Sequence, residues 1–187
     1  MKRLLATLAL LSLLTACGGG RSREVACEQE YWDGTYGTCL PSGWILVDRE
    51  TLRQRGVPED VIVAFQAETS VSGQFPTVTV TRERLTQETD PEDYSEASIR
   101  SVSVLPDYEL LDSREVTVDE VRISLHVFTA KPVTQEPMRR FYQVSTTFGG
   151  VGYTITGSAP VSVSDATAKE ITLILTNSTF VGAVEEE

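Results

Sequence analysis

Histidine is nearly missing from this chain: among 187 residues, His126 is the only one. A zinc site built from histidine and cysteine is therefore improbable, and a nucleophile relying on an imidazole has a single possible base. No G-x-S-x-G segment supplies a nucleophile elbow; Gly157-Ser158-Ala159-Pro160 reads as a strand end. No glycine-rich loop opens a helix in the way a phosphate cradle requires. The most apolar stretch, Leu4 to Leu14, has 11 residues, short of the ~20 that a membrane-spanning helix needs. Basic residues are scarce, with 16 Lys and Arg against 27 Asp and Glu. Such a surface repels nucleic acid and anionic lipid headgroups, so no nucleic-acid partner is expected.

What is present begins at the N-terminus. Lys2 and Arg3 precede the apolar stretch, as in a secretory leader. Leu14-Thr15-Ala16-Cys17 then matches the bacterial lipoprotein signal, in which the cysteine sulfur is acylated as the leader is removed. The expected organisation is a signal peptide over 1–16, a lipidated cysteine and flexible tether over 17–26, a single domain over 27–182, and an acidic tail over 183–187. The rival is a plain secreted protein with Cys17 near its cleavage site. One acyl chain such as palmitate anchors only marginally; a diacylglycerol on Cys17 holds lastingly. The expected location is the bacterial cell envelope, on the side away from the cytoplasm. Gly18, standing where an aspartate would argue for inner-membrane retention, favours the outer membrane if two are present. Loss of the leader removes two basic residues, leaving 14 against 27 and a formal charge of −13.

With Cys17 taken by lipid, Cys27 and Cys39 form an even pair in an oxidising compartment, which points to a disulfide. The alternative, a two-cysteine metal site, lacks further ligands. The loop between them carries Tyr31, Trp32 and Tyr36 among glycines and acids, with Trp44 just beyond. Aromatics on a stapled loop suit a recognition surface, because they supply large contact area at low entropic cost. The competing expectation is that Tyr31 and Trp32 fold back on the core beside Trp44. Glu28, Glu30 and Asp33 match no calcium loop, so neither metal nor cofactor is expected.

Periodicity divides the rest. Trp44 to Val47 reads as a short strand, Asp48 as the cap of a helical turn through Leu52, and Pro58 as the opening of a second short helix with Val61, Ile62 and Phe65 inward. The 75–82 segment alternates as a strand. Asp90-Pro91-Glu92-Asp93 starts a helix running to about Val104. Two hairpins follow, turning at Asp119-Glu120 and Gly149-Gly150, and Ser164-Asp165 caps a last helix packing through Ala168, Ile171, Ile174, Leu175 and Ser178. The fold class expected is α+β: an antiparallel sheet of five or six strands flanked by helices.

Leu40-Pro41-Ser42-Gly43-Trp44, the Phe141-Tyr142-Gln143-Val144 … Gly149-Gly150 … Tyr153-Thr154-Ile155-Thr156 hairpin, and the closing Ser178-Thr179-Phe180, in this order and spacing, resemble the PsbP-like superfamily. That resemblance spans Leu40 to Phe180. It implies an α/β/α sandwich, usually without enzymatic activity, whose members act by binding other proteins. The function expected is a lipid-anchored, non-catalytic envelope lipoprotein that binds an envelope protein or serves as an accessory module. The alternative is a small-ligand-binding lipoprotein with a pocket between sheet and helix, lined by Tyr31, Trp32, Trp44 and Tyr142. Catalysis would have to rest on His126, which sits mid-strand, where a histidine is more often a sheet-face residue.

Overall fold

A computed structural model describes residues 25–180. The leader, Cys17 with the first part of its tether, and the acidic tail lie outside the described residues. In chain order the elements are β1 (Gln29–Trp32), β2 (Tyr36–Leu40), β3 (Trp44–Val47), α1 (Arg49–Gln54), β4 (Val61–Ala67), β5 (Thr77–Arg84), α2 (Pro91–Val102), β6 (Glu109–Val118), β7 (Val121–Ala130), β8 (Arg139–Phe148), β9 (Val151–Pro160), α3 (Asp165–Thr176) and β10 (Thr179–Phe180).

Local chemistry sets the helix starts. Asp48, Asp90 and Ser164 each stand in extended backbone and accept an N–H from the first turn, from Thr51, Glu92 and Thr167 respectively. The two hairpin turns need positive φ at both central positions. Gly149 and Gly150 adopt it at 54° and 76°, and Asp119 and Glu120 at 47° and 68°.

The main sheet is antiparallel with seven strands in the order β3-β4-β5-β9-β8-β7-β6. This corrects the expected five or six. The difference lies chiefly in Val61–Ala67, read as a helix opened by Pro58 but forming β4 between β3 and β5. Its Val-Ile-Val-Ala-Phe run is rich in β-branched residues, and ladder pairing on both edges outweighs the weak helical spacing. A second sheet was not anticipated: β1, β2 and β10 pair in the order β1-β2-β10.

One face of the main sheet packs against α3 and the small sheet. Val78 and Val80 of β5, Tyr153 and Ile155 of β9, Val144 of β8 and Leu125 of β7 meet Ile171, Ile174 and Leu175 of α3 there. Each fully buried aliphatic side chain contributes about 1.5–3 kcal/mol. Across the β8–β9 hairpin Thr146 stands opposite Tyr153 and Val144 opposite Ile155. The other face carries the alternate side chains, and α2 covers only its β7–β8 half.

Candidate functional site

The stapled loop does not present its aromatics together. Cys27 and Cys39 are joined, with Cα atoms 5.5 Å apart, and β1 and β2 form a hairpin across that bond. The turn between them is tied by Asp33, whose Oδ1 accepts the N–H groups of Thr35 and Tyr36, both at 2.8 Å. Burial alone would raise the Asp33 carboxyl, but these bonds outweigh it and hold it below its usual range. Alternation along β2 then drives Tyr36 inward, where it is completely buried and its hydroxyl meets Ser178 Oγ at 2.9 Å. Tyr31 packs edge-on against Phe65, with ring centroids 5.1 Å apart. Trp44 is buried, and its Nε1–H donates to Glu170 Oε2 of α3 at 3.1 Å. Trp32 alone stays largely exposed, at 55%, its ring lying across the backbone of Gly37. The expected four-residue surface of Tyr31, Trp32, Tyr36 and Trp44 therefore reduces to one exposed indole. Core burial of the other rings outweighs their use as a surface.

The pocket expected between Tyr31, Trp32, Trp44 and Tyr142 is absent as such. Tyr142 faces Gly157 across the β8–β9 ladder on the α3 side and is itself buried. Tyr31 borders a separate hollow of about 380 Å³ with Asp33, Leu52 and Arg82.

A larger cleft of about 460 Å³ lies on the opposite face, between α2 and the half of the sheet that α2 leaves open. Its floor is the outward row of the strands: Thr81 of β5, Thr154 and Thr156 of β9, and Phe141 and Gln143 of β8. Its wall is α2, through Tyr94, Ser98, Ser101 and Val102. The polar floor is wired together. Gln143 Nε2 donates to Ser98 Oγ at 2.6 Å, Ser145 Oγ to the same oxygen at 2.8 Å, and Ser145 meets Thr154 Oγ1 at 3.1 Å. At the rim the Tyr94 hydroxyl donates to Glu83 Oε1 at 2.8 Å. Burial first, and then the Glu83 charge, push this hydroxyl up to about 12. Of these residues, Phe141, Gln143, Thr154 and Thr156 stood out in the sequence only as fold signatures. The available signal was the alternation of polar residues at 143, 145, 154, 156 and 158.

His126 stands on β7 next to Phe128, which lines the cleft, in a row of rings. Its centroid is 6.0 Å from Tyr108 and 5.2 Å from Phe128, which stacks on Phe141 at 5.1 Å. Nε2 meets the Tyr108 hydroxyl at 2.8 Å, while Nδ1 is buried without a hydrogen-bond partner. Burial lowers the imidazole below its usual value, so the ring is neutral. The side chain is 3% exposed, and its neighbours are aromatic rings. The geometry makes it the sheet-face residue that its mid-strand position suggested. Among the described residues no three His, Cys, Asp or Glu side chains converge as metal ligands, and no helix is long and apolar enough to cross a membrane.

No family model matches the sequence, and no curated protein matches it. Solved structures do match the fold. Cyanobacterial PsbP from a Synechocystis species superposes with a TM-score of 0.58 at 18% identity, covering 90% of this chain and 99% of its own. LpqN of Mycobacterium tuberculosis, involved in cell envelope biogenesis, gives 0.61 at 13% identity, covering 82% and 91%. The Ran-binding protein Mog1p of Saccharomyces cerevisiae gives 0.54 at 14% identity, covering 84% and 97%. The seven-stranded sheet, its α3-packed core and these superpositions together give the chain a PsbP-like fold.

Proposed function

We propose that this protein is a lipid-anchored accessory module of the bacterial cell envelope that acts by binding another envelope protein, without catalysis. The observation that carries the reading is the junction of a Leu14-Thr15-Ala16-Cys17 leader with a PsbP-like domain that starts ten residues later. An envelope setting is supported by the fold shared with LpqN. A binding role is supported by the state of the chemistry-bearing side chains. His126 is neutral and packed among rings, and Glu83 is occupied by Tyr94. Gly18 favours the outer membrane in a cell that has two.

The test is complementation of a deletion strain with wild type and Cys17→Ser, read as membrane fractionation and detergent sensitivity. Membrane-bound wild type that restores resistance, beside a Cys17→Ser protein that does neither, supports the reading. Full restoration by unanchored Cys17→Ser would remove the anchor from the function. In-cell crosslinking of the lipidated wild type then tests for the protein partner.

The α2 cleft favours a second reading, a module that binds a small ligand. Its volume falls in the range of ligand pockets. Hydroxyl and amide groups, the charged Asp60, Arg82 and Glu83 at its edge, and the apolar Val102, Leu105 and Phe141 line it together, which suits a polar molecule with an apolar part. Ser98→Leu, which fills the cleft, should then abolish ligand-induced thermal shifts that wild type shows.

A further inference from the structure

The register across the seven strands places the start of β3, the end of β4, the start of β5, the end of β9, the start of β8, the end of β7 and the start of β6 at one end of the sheet. The connections at that end carry Phe75, Val104, Val133, Met138 and Val161, exposed at 42, 82, 50, 37 and 41%. Of the other exposed large apolar side chains, Trp32 and Phe148 lie at the opposite end, while Ile45 and Leu46 lie on the edge strand β3 and Leu110 and Leu111 on the edge strand β6. Single exposed apolar residues are ordinary on any surface. Five on the connections of one end make a rim that calls for an occupant.

The path of the chain indicates which occupant. Gln29 pairs with Leu40, and the Glu28 N–H donates to the Leu40 carbonyl at 3.0 Å. Leu40 leads through three residues into the start of β3. The N-terminal segment Val25 to Cys27 therefore leaves the domain at the same end as the apolar rim. Cys17 lies ten positions before Cys27, through Gly18-Gly19-Gly20. Ten residues of chain cannot span more than roughly 35 Å. At the other end, Phe180 pairs with Tyr36, and its N–H donates to Asp119 Oδ2 in the β6–β7 turn at 3.1 Å. The terminal glutamates follow within seven residues.

We propose that the apolar rim is a membrane-docking surface, whose side chains enter the boundary between headgroups and acyl chains once Cys17 is held in the same leaflet. The inference rests on the lipoprotein reading of Cys17. Docking is apolar in character: Lys131 is paired with Asp107 at 2.7 Å, and Arg139 and Arg140 at the start of β8 share this end with Glu68 and Glu136, so neither sign of charge dominates. The fitting surface is therefore zwitterionic. The short tether makes this contact intramolecular, so a weak affinity suffices to hold the domain down. The sheet then stands on the bilayer, with Phe180 and the β6–β7 turn at the end away from it.

The test uses the full natively lipidated chain in phosphatidylcholine vesicles brominated at shallow acyl positions, with Val104→Trp and Val133→Trp examined separately. Each added indole should lose most of its emission, while wild type, whose Trp32 is distant and Trp44 buried, loses little. Val104→Asp with Met138→Asp in the Val133→Trp background should abolish that loss. Vesicles that float the protein without quenching either position overturn the docking proposal and leave the anchor intact. A chain with no acyl group on Cys17 by mass spectrometry, which fails to float, overturns both. Shielding of position 104 from aqueous iodide in native membranes, without quenching in pure lipid, assigns the rim to a protein and overturns the lipid assignment.

Discussion

Tyr94 closes over Gly152 so tightly that a Cβ atom at position 152 would lie 2.5 Å from its Cζ. The contact fixes α2 against β9 and sets one wall of the cleft. Gly152→Ala should therefore displace the ring and break its bond to Glu83. Overpacking of this kind costs about 1–3 kcal/mol. Urea denaturation should show that loss, and Gly152→Ala with Tyr94→Ala should recover part of it, because the clash is gone.

Tyr36 and Trp32 sit four residues apart on one hairpin and should respond very differently. Tyr36→Ala removes a fully buried ring and its Ser178 contact, at about 3–5 kcal/mol. Trp32→Ala removes a ring that is 55% exposed and should cost ~1 kcal/mol or less. Equal losses in chemical denaturation would contradict the burial described for this loop.

The disulfide joins residues twelve positions apart. Closing a loop of that size contributes about 3 kcal/mol in the chain-entropy model. Cys27→Ser with Cys39→Ser, or wild type under reductant, should lower the denaturation midpoint by an equivalent amount. The two treatments should not add.

His126 confers a pH dependence whose sign follows from its burial. The folded imidazole resists protonation, so its pKa lies below the unfolded value of about 6.5. Above that value both states are neutral and the group has no effect on the slope. As pH falls below about 6.5 the unfolded chain binds the proton first, and stability declines until the folded pKa is passed. Asp33, whose folded pKa is depressed, contributes stability lost only at lower pH, beneath the unfolded carboxylate range. His126→Gln should flatten the upper part of the profile. Thermal melts between pH 5 and 7 that remain parallel for wild type and variant would show that the ring titrates freely.

The features legible in advance are those settled by a few adjacent residues. The Asp90-Pro91 start, the Ser164 cap and the two hairpin turns depend on local hydrogen bonds and φ angles, and each forms where its residues stand. Val61–Ala67 depends on neighbours. Its apolar residues fit a short helix as well as a strand, and β3 and β5 decide between them. The aromatic loop shows the same limit at the level of the site. Tyr36 and Trp32 look alike in sequence, but Ser178 and Phe180, more than 140 positions away, determine which is buried. The cleft escaped notice for a related reason. Alternating hydroxyls on β8 and β9 are visible in the sequence, but the extent of sheet that α2 covers is a tertiary property.

The pairing of β2 with β10 has a consequence for the order of folding. Tyr36 near the start of the domain is sealed by Ser178 and Phe180 at its end, across a separation of 142 residues for the Tyr36–Ser178 contact. Contacts of such long range form late, because their loop entropy must be overcome first. A chain delivered N-terminus first through a narrow channel cannot complete this core until its last strand has emerged. The early hairpin waits, held by its cystine once oxidised, and Ser178 with β10 acts as the latch.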